Sequence, residues 1–188
     1  MENKSSLLQY TMTYGAILGI VSIIFSLMLY MLGILPDNFK RMILIAVVGF
    51  TIMIIFIVIG TKSYRDKVLG GTITFGNALF AGVLIVVFST IISSFYTLIF
   101  NMFIDPEYMN KVYESMKNWM YDYLNNMGVP DAQIEKSMDK IESKQANYTP
   151  LKGFFQSIFS SVIVGLILSL ITSAFIKKTP NPFAQDSK

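Results

Sequence analysis

The 188-residue chain contains neither cysteine nor histidine. Without cysteine it has no disulfide, no thiolate nucleophile and no thiolate metal ligand. Without histidine a Ser-His-Asp triad is excluded, and no imidazole is present to serve as base or metal ligand. Charge is scarce as well: Asp, Glu, Lys and Arg make up 14% of the sequence, against about a quarter in an ordinary soluble domain. The scarcity is unevenly spread. Leu7 to Leu35, Met42 to Thr61, Val68 to Ile104 and Gly153 to Ile176 are 29, 20, 37 and 24 residues long and hold no charged residue. Ionisable groups inside a membrane mark proton relays and ion pathways, so their absence argues against a proton-coupled transporter or an ion pump.

What is present instead is apolar bulk. Apolar and aromatic residues make up 53% of the chain and the mean hydropathy is +0.55. Each uncharged stretch exceeds the roughly 18 residues that a spanning helix needs. The sequence therefore predicts an all-α integral membrane protein of one domain, 1–188, with spans near 8–35, 42–61, 72–104 and 153–176 and an extramembrane helical hairpin near 105–150. The third run is longer than the hydrocarbon core requires, so its ends are expected in the interface. It has no proline between Thr74 and Ile104, and its glycines, Gly76 and Gly82, lie near its start, which favours one helix over two. The first run far exceeds a signal-peptide core of about 7–15 residues and no A-x-A site follows, so it is expected to be retained.

Orientation follows from Lys and Arg near the span ends. With the N-terminus inside, Lys4, Lys62, Arg65, Lys67, Lys177, Lys178 and Lys188 are cytoplasmic, and the short outer loop holds Lys40 and Arg41. Residues 105–152 carry six lysines and eight acids, and long segments translocate largely regardless of such charge. Both termini are expected in the cytoplasm with the hairpin outside.

In the hairpin, Asp105 and Pro106 are suited to start a helix. Met109, Val112, Met116, Trp119, Met120, Tyr123 and Met127 then recur at helical spacing. Gly128 ends that helix and Pro130 opens a second, with a narrower stripe of Ile134, Met138 and Ile141. Thioethers can select Cu(I), but no Cys or His completes a site, so the methionines are read as packing or contact surface. No metal, cofactor or catalytic residue is predicted. The second helix places Asp131, Glu135, Asp139 and Glu142 beside Lys136, Lys140 and Lys144, a pattern of a solvated face or of a surface that pairs with another protein.

The polar residues of the spans are small. Gly153, Ser157, Ser161, Gly165, Ser169 and Ser173 recur every four residues in the last span, Ser89, Ser93, Thr97 and Asn101 in the third, and Gly15 and Gly19 offer the same step in the first. Such residues let helices approach closely. Before the third span, Gly70 and Gly71 permit a turn and Thr72 or Thr74 can cap the next helix. Tyr64 is expected at headgroup level, and Arg65 with Asn77 forms a candidate headgroup contact. No Walker pattern G-x-x-x-x-G-K-[ST] occurs, and Asn181-Pro182-Phe183 matches a short adaptor-binding peptide.

Taken in order, Tyr14-Gly15, "YRDKVLGGTITFGNALFAG", "FIDPEYM" and "GVPDAQIEKSMDKIE" resemble the bacterial membrane-protein family designated domain of unknown function 4199, over about residues 7–178. The resemblance implies four spans and an inner-membrane location, and it supplies no catalytic residue. The expected function is non-enzymatic: a membrane interaction or scaffold component using Met109, Met116, Trp119, Met120 and Tyr123 as its partner contact. The alternative is a small oligomeric transporter or channel lined by Ser89, Ser93, Thr97 and Asn101. The expected partners are the lipid bilayer and a second copy or another membrane protein; no nucleic acid is expected.

Overall fold

The computed structural model describes residues 2–178, with side chains from Ser6 onward. The Lys4 side chain, Lys188 and the Asn181-Pro182-Phe183 tripeptide lie outside the described residues. The chain forms α1 (Glu2–Met31), α2 (Phe39–Lys67), α3 (Phe75–Ile99), α4 (Tyr108–Asn126), α5 (Asp131–Ala146) and α6 (Pro150–Ile176). A π-helical turn, Phe100–Ile104, carries α3 onward without a break. Four stretches are long and apolar enough to cross a membrane: Ser6–Met31, Phe39–Lys67, Phe75–Ile104 and Pro150–Ile176. This is a multi-pass membrane protein, and the third apolar run is one helix with its π-helical end.

Local chemistry explains where the helices stop. At the end of α1, Ile34 N–H bonds to Leu29 C=O at 2.9 Å and Gly33 N–H to Tyr30 C=O at 3.0 Å, with Gly33 at φ +63°. That is a Schellman ending, so α1 closes before its uncharged run does. The same pair of bonds ends α4: Val129 N–H reaches Leu124 C=O, Gly128 N–H reaches Asn125 C=O, and Gly128 stands at φ +69°. After α2 the chain turns at Gly70 and Gly71, φ +64° and +88°. Thr74 Oγ1 then accepts the Asn77 N–H at the start of α3, the capping role expected of it.

The contacts fall into two units. The first comprises the described parts of Met1–Val21, Thr51–Ile92 and Ile158–Lys188, and the second Ser22–Phe50 with Ser93–Ser157. In the first unit the helices meet through small residues. A Cβ on Gly15 would lie 2.7 Å from Phe88 Cβ and 2.9 Å from the Ile85 carbonyl oxygen, and one on Gly19 3.0 Å from the Ser89 carbonyl oxygen. Gly82 faces Ser169 and Ile57 just as closely, and Gly165 faces Val86. Ser161, Gly165, Ser169 and Ser173 of α6 are buried, while Phe159, Ile163, Ile167 and Phe175 are exposed. Small residues inside and large apolar ones outside invert the pattern of a soluble core; in lipid, association rests on close packing rather than on hiding apolar surface.

Two expectations concern the chain between α2 and α3. Tyr64 is 3% exposed and packs with Ile73, Ala78, Ala81 and Ile176, so its ring belongs to the protein core. Arg65 is paired with Asp66 at 2.7 Å and donates to the Ile176 carbonyl at 3.1 Å, placing positive charge at the C-terminal end of α6. Asn77 is exposed, and no hydrogen bond or ion pair among the described residues joins it to Arg65. An antiparallel bridge between Ile73 and Lys178 ties the turn to the chain after α6.

Candidate functional site

The second unit gathers aromatic rings around the π-helical end of α3. A π-turn widens the helix and re-aims its side chains, and such turns are frequent at functional sites. Here it buries Phe100 and Asn101. Tyr30 of α1 meets Phe100 edge-on at 4.9 Å and Tyr108 of α4 at 5.4 Å, and Phe100 and Tyr108 meet each other at 5.6 Å. Tyr96 lies 5.8 Å from Phe100. Edge-to-face pairs of this kind contribute about 0.5–1.5 kcal/mol each beyond their burial. The ring cluster therefore fixes the start of α4 on α1 and α3.

Asp105 sits at the rim of that cluster. Its Oδ2 accepts from the Tyr30 hydroxyl at 3.3 Å and from Lys111 Nζ at 2.9 Å. Its side chain does not cap α4, contrary to the sequence expectation: the cap position is Glu107, and α4 begins at Tyr108. The hydrogen bond from Lys111 holds the Asp105 carboxyl below its usual range, helped by the Lys111 charge, the Tyr30 hydroxyl and the Glu107 N–H, against the opposing effect of burial. Lys111 is raised chiefly by its bond to Asp105, and Tyr108 is raised by burial and then by the nearby Asp105 charge. A carboxyl lowered on folding stabilises the fold above its unfolded pKa of about 3.9 and loses that contribution as pH falls through the folded value. Stability should thus be flat in this respect from about pH 5 upward and fall in acid. An Asp105→Asn variant should show a shallower acid decline, read by thermal melts across a pH series.

Two hollows share the Tyr30 and Tyr108 walls. The larger, about 370 Å³, is also lined by Gly33, Leu35, Asp105 and Lys111. The smaller, about 30 Å³, is lined among others by Tyr96, Phe100, Asn101 and Met109. Asn101 is 3% exposed. Its Nδ2 reaches the Tyr148 hydroxyl at 3.4 Å, but its Oδ1 is buried without a partner.

Of the contact stripe expected on α4, Trp119 is buried, so it is not a free contact; it meets Tyr123 at 6.1 Å. Met109, Met116 and Met120 are half-buried. Tyr123 is exposed and stacks on Phe39 of α2 at 5.4 Å. The face read as contact surface is thus largely the face by which α4 is held. α5 is joined to α4 through Lys117, which pairs with Glu114 at 3.3 Å and Glu142 at 3.2 Å, and through Gln145 to Glu114. Tyr148, after α5, meets Tyr113 at 5.9 Å and lies against Gly153 of α6.

The α3 residues of the pore alternative are dispersed in their roles. Ser89 is buried where Gly15 and Gly19 approach, Thr97 is exposed and bonds back to the Ser93 carbonyl, and Asn101 belongs to the aromatic site. The neighbouring Ser94 hydroxyl bonds to Ser157 at 2.6 Å, a link between α3 and α6. The tyrosine site was missed in the sequence reading, although one signal was available: Tyr30, Tyr96 and Tyr148 all fall near span ends, where interfacial aromatics collect.

Four apolar helices, small-residue seams and a separate polar helix pair define a multi-pass helical-bundle membrane protein. The family described as "Protein of unknown function (DUF4199)" matches residues 13–178. The chain belongs to that family. No curated protein and no solved structure matches the chain.

Proposed function

We propose that this protein is a non-enzymatic interaction component of the bacterial inner membrane, in which the α4–α5 hairpin, outside the bilayer, is a preorganised docking platform. The termini lie in the cytoplasm in this reading, on the basis of the Lys and Arg bias at the span ends. The observation that carries it is the way the hairpin is held. Tyr108 locks onto Tyr30 and Phe100, Tyr123 onto Phe39, and Tyr113 onto Tyr148. A helix pair tied at three places loses little freedom on binding, which lowers the cost of association.

The outward groove of the hairpin supports a protein partner. It has a volume of about 430 Å³ and is lined by Lys117, Asn118, Tyr121, Asp122, Met138 and Glu142. An exposed tyrosine and a methionine amid charges of both signs match the composition of non-obligate protein interfaces. The occupant is a polar segment of another protein with Lys or Arg to meet Asp122 and Glu142. The transporter alternative has less support, because its hydroxyls are divided among packing, local backbone bonds and the aromatic site.

A photo-crosslinking residue placed at Tyr121 or Asn118 should give one discrete higher-mass adduct in growing cells. The same residue at Ile163, exposed on α6, should give lipid adducts. Identical patterns from both positions, or no protein adduct from the groove, would refute the platform.

A further inference from the structure

We propose that the hollow beside the π-helical end of α3 binds the headgroup of a phospholipid that carries a primary ammonium group. The phosphodiester lies against Lys111 and the ammonium against Asn101.

Three features lead to this ligand. Lys111 is 57% exposed and uses Nζ toward Asp105; an ammonium has three N–H donors, so it can also donate to a phosphate. Asp105 is already bonded to Tyr30 and Lys111, so its role is to aim Lys111 over the larger hollow. Asn101 then supplies the second point. Its Oδ1 is a buried acceptor with no donor, an arrangement that costs about 1–3 kcal/mol until it is met. The hollow it lines is small, about 30 Å³. An –NH₃⁺ group brings N–H donors that can meet Oδ1, and a trimethylammonium has none. The walls are the rings of Tyr30, Tyr96, Phe100 and Tyr108, whose π faces favour a cation.

The surroundings point to a lipid rather than a free solute. Met31 and Leu32, in and beside the wall of the larger hollow, are 81% and 64% exposed, and Phe103, in the π-turn two residues before Asp105, is 75% exposed. An apolar collar next to a polar hollow at the end of a candidate span suits acyl chains below and a headgroup above. This binding does not depend on a protein partner for the hairpin.

The test uses the full chain in detergent, mixed with equal amounts of a phosphatidylethanolamine and a phosphatidylcholine of the same acyl chains, with retained lipids identified by native mass spectrometry. The wild type should retain the ethanolamine lipid about tenfold in excess, the scale on which a site with an unmet buried polar group discriminates. Lys111→Gln, at an exposed position that leaves folding intact, should reduce retention of both lipids. Asn101→Leu should abolish the preference while leaving total retention near that of the wild type. A thermal melt separates binding from packing: ethanolamine lipid should raise the wild-type Tm more than choline lipid does, and the two lipids should raise that of Asn101→Leu equally, whereas without lipid the variant should melt no lower than the wild type. Equal retention of the two lipids by the wild type, or unchanged retention by Lys111→Gln, would overturn the proposal. So would soluble phosphoethanolamine binding as tightly as the lipid, because the acyl collar would then contribute nothing.

Discussion

A Gly15→Leu chain is expected not to reach a folded, monodisperse state in detergent, whereas a Gly49→Leu chain should melt close to the wild type. Both glycines lie in long apolar helices, α1 and α2, and both replacements add the same side chain. They differ in what the new atoms meet. At Gly15 the first carbon would already lie 2.7 Å from Phe88 Cβ and 2.9 Å from the Ile85 carbonyl oxygen, and at Gly49 nothing lies within 4 Å. A backbone carbonyl cannot rotate away as the tip of a side chain can, so α1 must leave α3. Even Gly15→Ala should cost about 1–3 kcal/mol, the usual range for overpacking a filled site. Gly60 provides an internal grade, because its nearest neighbour, at 2.6 Å, is the flexible Ile85 Cδ1. Gly60→Ala should therefore be milder than Gly15→Ala. Thermal melts of the four variants, read beside size-exclusion profiles, decide this; equal behaviour of the Gly15 and Gly49 variants would mean that α1 and α3 do not meet through this seam.

Tyr30→Ala is expected to loosen the hairpin while leaving the first unit folded. The tyrosine contributes two edge-on ring contacts, to Phe100 and Tyr108, and a hydroxyl bond to Asp105. Losing two aromatic pairs and part of a buried ring should cost about 2–4 kcal/mol. Tyr30→Phe keeps the rings and removes only the hydroxyl bond, worth about 1 kcal/mol. Hydrogen exchange should therefore rise over Tyr108–Asn126 in the alanine variant and much less in the phenylalanine variant. Protection in α2 near Ile57 should be unaffected in both. Uniform loss of protection along the chain would show that the ring cluster supports the whole fold rather than the hairpin.

The parts of this architecture that follow from one-dimensional patterns were readable from the residues. Long uncharged runs mark the spans because lipid accepts no unpaired charge at low cost. The four-residue step Ser161, Gly165, Ser169, Ser173 marks the buried side of α6 because close approach requires small side chains. Gly128 marks the end of α4 because a Schellman ending requires a positive φ.

Other features depend on partners far away in sequence. The amphipathic stripe of α4 identifies an apolar face but not what covers it, so packing and partner contact both stay open in the sequence, and only the structure shows Trp119 buried. The Arg65 hydrogen bond is hidden from the sequence because its acceptor, the Ile176 carbonyl, lies 111 residues away. The tyrosine site is harder still: Tyr30, Tyr96, Tyr108 and Tyr148 stand in separate segments, and only folding brings them to the π-turn. The turn itself has no proline or glycine to announce it within Phe100–Ile104.

The central proposal, drawn from the Lys and Arg bias at the span ends, is that the hairpin stands outside the bilayer on the side opposite the termini, and the lack of native cysteine makes that directly measurable. Single cysteines at Lys140, exposed in α5, and at Lys67, at the end of α2, would be treated in spheroplasts with a membrane-impermeant maleimide. Lys140→Cys should label in intact spheroplasts and Lys67→Cys only after permeabilisation. Labelling of Lys67→Cys before permeabilisation, or protection of Lys140→Cys, would contradict the account.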